Sequence, residues 1–290
     1  MVMSVCFFVS DLHGNRQRYD MLFDGIEKEK PAAVFMGGDL FPSGLGGILG
    51  VNDYADFLDG FMAPGFRRLR RKLSKNYPAV FLILGNDDVR IEEERVRAYE
   101  RESLWNYVHN RSLQWGGYHV YGYSCVPPTP FLLKDWERYD VSAYLDPLCI
   151  APEEGCFSVE VQKGILRHET ILNDLEKLTA DRDLSRAIIL FHAPPYGCGL
   201  DRAALDGKMV DHVQLDVHIG SIAVRRFIEA RRPFLTLHGH VHESARITGI
   251  WKEYIGSTLA ISGAHDGPGL ALVRFDPCDL DHATRELREK

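Results

Sequence analysis

Five short groups in the chain carry side chains that can hold a metal ion: Asp11-Leu12-His13, Gly38-Asp39, Gly85-Asn86, His192 before Pro194 and Pro195, and Gly239-His240-Val241-His242. Imidazole mixed with carboxylate suits Mn, Fe, Zn or Co better than Ca or Mg, which prefer oxygen alone. The set is Asp11, His13, Asp39, Asn86, His192, His240 and His242. That is too many donors for one tetrahedral ion. With one carboxylate shared, they offer four protein ligands to each of two ions. Taken singly, each is an ordinary turn or cap residue. In Asp-x-His and His-x-His an extended chain would point both side chains the same way. Glycines at 14, 38, 85 and 239 permit tight turns and close approach to an ion.

Each group ends an apolar run. Val5–Val9, Ala32–Met36, Ala79–Leu84, Ala187–Phe191 and Phe234–Leu237 read as strands buried on both faces. Amphipathic spacing predicts a helix over Arg16–Lys30, with Tyr19, Leu22, Phe23 and Ile26 on one stripe. Further helices are expected at Tyr54–Lys75, Ile91–Asn110, Glu169–Ala180 and Ser221–Arg231. Alternating strand and helix predicts an α/β layered fold with largely parallel strands at first. The carboxyl ends of such strands share one edge, where residues distant in sequence can converge. His119–Ser124, Cys156–Val161 and Ala245–Asp276 alternate and are expected as antiparallel strands of a second sheet. Residues 125–152 are rich in proline and aromatics and read as an irregular insert, either covering a site or merely connecting elements. Gly44–Gly50 reads as a loop rather than a dinucleotide fingerprint. The basic run Arg67–Lys72 reads as a solvated helix face, with an anionic partner as the alternative.

The chain has 290 residues, with 34 Lys and Arg against 41 Asp and Glu, a net charge of −7. That balance argues against a generally basic nucleic-acid binder. Apolar residues at 45% and charged residues at 26% are globular values and argue against extensive disorder. The longest uncharged stretch, Gly116–Leu133, contains Pro127, Pro128 and Pro130, so no membrane helix is expected. The apolar start lacks a basic lead and reads as a first buried strand rather than a signal peptide. Six cysteines without a CxxC pair read as reduced thiols of a cytoplasmic protein.

In order and in residue type, DxH (Asp11, His13), GD (Gly38, Asp39), GN (Gly85, Asn86), the lone His192 and GHxH (Gly239, His240, His242) resemble the motifs of the calcineurin-like metallophosphoesterase superfamily. The resemblance implies a four-layer αββα sandwich of two mixed β-sheets flanked by helices, in one domain over 1–290. It also implies a centre of two divalent transition-metal ions, Mn favoured. One ion would take Asp11, His13 and His242, the other Asn86, His192 and His240, with Asp39 bridging. The reaction implied is hydrolysis of a phosphate ester by in-line attack of a metal-bridging hydroxide. Asp39, Asn86, Asp87 and His240 form the candidate catalytic set.

One position departs from the pattern. Many members carry His directly after the GN pair, where this chain has Asp87, and GNDD resembles a subset without that histidine. An anionic side chain there disfavours a dianionic monoester, so a phosphodiester is the expected substrate. A binding or scaffold protein that keeps the fold without turnover is the competing reading, and a mononuclear hydrolase of non-phosphate bonds a third. No membrane partner is expected, and nucleic acid only as substrate. His238 is expected to support the ligands or end a strand rather than serve as an eighth ligand, and Asp88 to support the ligands or cap a helix near Ile91. His218 and His265 are alternative proton donors with structural roles as the default. Tyr196 and Asp201 fall where a substrate-facing loop would lie.

Overall fold

Alternation along the first strands sorts their side chains into two populations, and the layers follow from that sorting. The computed structural model describes residues 5–44, 46 and 57–289. The described chain begins with β1 (Cys6–Val9), α1 (Arg16–Glu29), β2 (Ala33–Gly37), α2 (Ala63–Leu73), β3 (Ala79–Ile83), α3 (Glu93–Ala98) and β4 (Asn106–Tyr107). It continues through β5 (Arg111–Trp115), β6 (Tyr118–Tyr123), α4 (Ile171–Thr179), β7 (Ala187–Phe191), β8 (Met209–Val210), β9 (Val213–Gln214) and α5 (Ile222–Arg231). The last elements are β10 (Leu235–His238), α6 (Ser244–Thr248), β11 (Lys252–Ile255), β12 (Thr258–Ser262), β13 (Leu270–Asp276) and β14 (Asp279–Arg288).

Two six-stranded sheets result, in the orders β14-β13-β1-β2-β3-β4 and β11-β12-β10-β7-β6-β5. In the first, β1 to β4 run parallel, β13 runs antiparallel to β1, and β14 runs antiparallel to β13. In the second, β12, β10, β7 and β6 are parallel, with β11 and β5 antiparallel at the edges. Phe8, Phe35, Phe81 and Ile83 face Ile188, Leu190, Leu235 and Leu237 between the sheets. Their neighbours Phe7, Val9, Val34, Met36 and Leu82 belong to the other buried population, with Tyr19, Leu22, Phe23 and Ile26 of α1 and Phe66 and Leu69 of α2. On the second sheet Ile189 and Phe191 share that environment with Ile171 and Leu175 of α4 and Val224 and Phe227 of α5. This is the four-layer αββα sandwich.

Register brings the strand ends level. Val9 pairs with Met36, and Gly37 with Ile83, so the turns after β1, β2 and β3 leave the sheet at one height. The cap of α1 helps: Asn15 Oδ1 accepts from Gln17 N and Arg18 N, starting the helix directly after the first turn.

Several expectations are corrected. The helix expected over Ile91–Asn110 stops at Ala98 and a 3-10 turn, because Ser103 turns left-handed (φ 53°) and the chain reverses to bury Trp105 and Tyr107 beside β3. Cys156–Val161 forms no strand: Ser158 is held by Asp135, and only Cys156 bridges to Leu133. His119–Ser124 contains β6, which pairs antiparallel with β5 in the second sheet as expected, but parallel with β7 on its other side. Ala245–Asp276 opens on α6; β11 and β12 form the expected antiparallel pair in the second sheet, while its last strand, β13, joins the first sheet beside β1. Most of the stretch Gly44–Gly50 and residues 54–56 lie outside the described residues. The basic run lies on α2, where Arg67 pairs with Glu102, Lys72 with Glu27, and Arg68 covers the Phe23 ring.

The irregular stretch from 125 packs against the chain leaving β3. Arg90 stacks over Trp136 at 5.2 Å, and Asp135 accepts from Arg90 N. Inside it Lys134 Nζ donates to Glu137 (2.5 Å) and to the Thr129 carbonyl, both side chains fully buried. Each charge is hydrogen-bonded, as burial requires.

Candidate metal centre

The turn after β1 lies along the turn after β2. Asp11 N donates to the Gly38 carbonyl (3.0 Å), His13 N to Asp39 (2.8 Å) and Gly14 N to Leu40 (3.0 Å). Asp11, His13 and Asp39 are left-handed there, at φ 57°, 46° and 51°, and His240 joins them at 72°. Left-handed backbone is uncommon for residues other than glycine, though Asp and His enter it more readily than most, and it gathers at functional sites. The Asp-x-His and His-x-His pairs therefore converge through tight turns, not through the extended alternation expected from their spacing.

Ligand atoms of Asp11, His13, Asp39 and His242 lie within 4.8 Å of one another, a group that could hold a metal ion. His13 Nε2 faces His242 Nε2 at 3.2 Å, and His242 Nε2 is 3.2 Å from Asp11 Oδ1. A second group adjoins it. His192 Nε2 lies 3.0 Å from Asn86 Oδ1 and 3.3 Å from Asp39 Oδ2, while its Nδ1–H donates to the Gly37 carbonyl (2.8 Å). The His240 ring packs edge-on against His192 with centroids 5.2 Å apart, and its backbone N–H donates to Asp11 Oδ1. Asp39 Oδ2 faces both groups, 3.8 Å from His13 Nε2, while Oδ1 accepts from Asp87 N (2.8 Å). All seven residues named from the sequence thus surround one spot.

Close packing demands glycine at two of these turns. A Cβ on Gly85 would fall 2.3 Å from Asp39 Oδ1, and one on Gly239 would fall 2.7 Å from Asp11 Oδ2.

Electrostatics couple the carboxylates and imidazoles of the cluster to one another. Burial opposes ionisation of Asp11, but His242 outweighs it and holds the pKa at about 2. Asp39 is held low in the same way, with His192 and His13 overcoming burial. Burial likewise opposes charge on His13 and His192, yet Asp87 and Asp39 lift the first, and Asp39 the second, to about 9. His240 answers mainly to burial, which drives its pKa down to about 3 and leaves it neutral. Asp11 Oδ2 is buried without a hydrogen-bond partner. An orphaned carboxylate oxygen, beside imidazole nitrogens that face each other, is a donor set that fits a cation.

Supporting residues separate from the candidate ligands. Both His238 nitrogens are occupied, by the Ala193 carbonyl (2.9 Å) and Thr236 Oγ1 (2.8 Å). Asp88 caps no helix. Fully buried, it accepts from Leu40 N, Phe41 N and Gly85 N, joining the turns that carry Asp39 and Asn86. Burial and nearby Asp39 push its pKa up to about 7. Asp201 is buried and accepts from Gly197 N, Cys198 N, Gly220 N and His218 Nδ1, so it shapes its loop and does not face a substrate. Tyr196 donates to Asp216. Sequence reasoning missed Arg18, whose guanidinium donates to the Asp11 and Gly267 carbonyls at 2.6 Å each. Its place on α1 one turn beyond the first ligands was the available signal.

No curated protein matches this sequence. Solved structures share the fold at low identity. TT1561 of Thermus thermophilus aligns over 99% of both chains at 16% identity and TM-score 0.53. A dimetal phosphatase from Danio rerio aligns over 94% of this chain and 92% of its own, at 12% identity and TM-score 0.50. The model of the calcineurin-like phosphoesterases matches residues 6–244, most of the chain and every candidate ligand, and the protein belongs to that family.

Proposed function

We propose that this protein is a metal-dependent hydrolase of phosphodiesters that uses two divalent ions. One observation carries the reading: Asp39 Oδ2 stands between two donor groups, 3.8 Å from His13 Nε2 and 3.3 Å from His192 Nε2. Asp11, His13 and His242 would hold one ion, Asn86, His192 and His240 the other, and Asp39 both. Bound there, the pair would supply charge for the phosphoryl oxygens and lower the pKa of coordinated water, Mn being the favoured metal.

The chain's own residues prepare that chemistry. Gly37 fixes the His192 ring, leaving Nε2 toward Asn86 and Asp39. Burial keeps His240 neutral, the form that can donate a lone pair. Two ligand aspartates offset half the charge of two divalent ions, so the site stays attractive to a phosphate. The Asp87 carboxylate, half-buried 3.3 Å from His13, adds negative charge at the rim and disfavours a dianionic monoester relative to a monoanionic diester.

Residues 1–290 are read as one domain, with 125–152 an insert beside the turn that carries Asn86. Among the described residues no helix is long and apolar enough to cross a membrane. The free cysteines, among them buried Cys6, Cys125 and Cys198, support a cytoplasmic location.

The test is turnover of bis-p-nitrophenyl phosphate against p-nitrophenyl phosphate by metal-stripped protein reloaded with Mn. Diester preference that disappears with chelation is expected. A strong monoester preference would refute the substrate class. Two bound ions without turnover of any ester would favour the scaffold reading.

A further inference from the structure

We infer that Asp87 is a positioning residue for His13: it holds the outer nitrogen of that imidazole so that the inner one presents a lone pair to a cation. The inference rests on the dinuclear reading and assigns Asp87 a role there other than contact with the leaving group.

Geometry carries it. Asp87 Oδ2 lies 3.3 Å from His13 Nδ1, while His13 Nε2 faces His242 and Asp39. The carboxylate is itself held, since Oδ1 accepts from Ser43 Oγ (3.0 Å) and Gly44 N (3.1 Å). Its backbone N–H donates to Asp39 Oδ1, so side chain and main chain serve neighbouring members of the cluster. A carboxylate beside Nδ1 accepts its proton and selects the tautomer with a free Nε2.

The other deep imidazole shows the same device in another form. His192 is fully buried, and a backbone carbonyl, Gly37, takes its Nδ1–H. His13 is half-buried on a turn. There Asp87 does what Gly37 does for His192. Gly44 N is a backbone donor, so it holds Asp87 Oδ1 whatever side chain stands at position 43.

The experiment measures Mn uptake by metal-free protein at fixed pH by equilibrium dialysis, with no substrate. Wild type, Asp87→Ala, Asp87→Asn and Ser43→Ala are compared, each with folding checked by circular dichroism. Wild type is expected to bind two ions. Asp87→Ala weakens one of them by about 10–100-fold, the range for loss of a partner behind a ligand, and leaves the other unchanged. Asp87→Asn recovers most of the loss, because its amide oxygen still accepts from Nδ1–H. Ser43→Ala, which removes a loop contact but not the one to His13, binds as wild type.

Two ions held equally well by wild type and Asp87→Ala overturn the role of Asp87 and leave the dinuclear reading intact. The same holds if Asp87→Asn is as weak as Asp87→Ala, or if Ser43→Ala is as weak as either. A wild type that binds a single ion, weakened in Asp87→Ala, overturns the dinuclear reading and keeps the role of Asp87.

Discussion

Removing Asp88 should damage the metal centre without touching a ligand. Its carboxylate is fully buried and takes three backbone N–H groups: Phe41 at 2.8 Å on Oδ1, and Gly85 at 2.9 Å and Leu40 at 3.1 Å on Oδ2. Asp88→Ala strands all three. A buried donor left unpaired costs roughly 1–3 kcal/mol, so the lower bound for three is about 3 kcal/mol. That is a large share of the 5–15 kcal/mol that holds a typical protein folded, yet leaves a folded population. Asp88→Asn has one accepting oxygen. Turned toward Leu40 and Gly85, it leaves only Phe41 N–H against an NH2 group, a loss of about 1–3 kcal/mol. Urea unfolding of metal-free protein should therefore rank wild type above Asn above Ala. Because the three donors sit on the turns of Asp39 and Asn86, Mn uptake should fall in the same order. A loss under about 1 kcal/mol for Asp88→Ala, or equal losses for the two variants, refutes the reasoning.

Three further outcomes are expected. Asp39→Asn and His240→Ala should each abolish diester turnover while circular dichroism stays native, and retained turnover in both would sink the ligand assignment. Gly85→Ala should lose about 1–3 kcal/mol of stability and weaken Mn uptake, since its Cβ would lie 2.3 Å from Asp39 Oδ1; an unchanged urea midpoint contradicts the crowding. His109 tests linkage away from the site. Burial drives its pKa down to about 3, and its Nδ1 accepts from Ser124 N, so the folded state keeps it neutral. The unfolded chain protonates it below about 6.5. Its contribution is complete above that pH and is lost progressively as pH falls toward 3. Between pH 7 and 5 the loss is about 2 kcal/mol, at 1.36 kcal/mol per unit. His109→Gln should lose that much less stability over the same interval, and equal losses would count against the buried neutral imidazole.

Local pattern was enough to read the buried strands and the candidate ligands. Val5–Val9, Ala79–Leu84 and Ala187–Phe191 are continuous apolar runs, and burial on both faces follows from that alone. Asp11, Asp39, Asn86, His192 and His240 were legible because each follows such a run, and parallel register brings the ends of β1, β2 and β3 to one height. β14 was not legible: DLDHATRELR is charged, and as an edge strand it buries little beyond Ala283. The helix at 91–110 was overread because Val96, Leu104 and Trp105 are apolar in either conformation, and only the reversal at Ser103 decides between them. Tertiary structure alone determined that Asp11, His13, Asp39 and His240 are left-handed, and that Asp87 faces His13 while Asp88 faces the backbone. Periodicity reports which side chains leave water. The direction of a hydrogen bond depends on where a separate turn, tens of residues away, comes to rest.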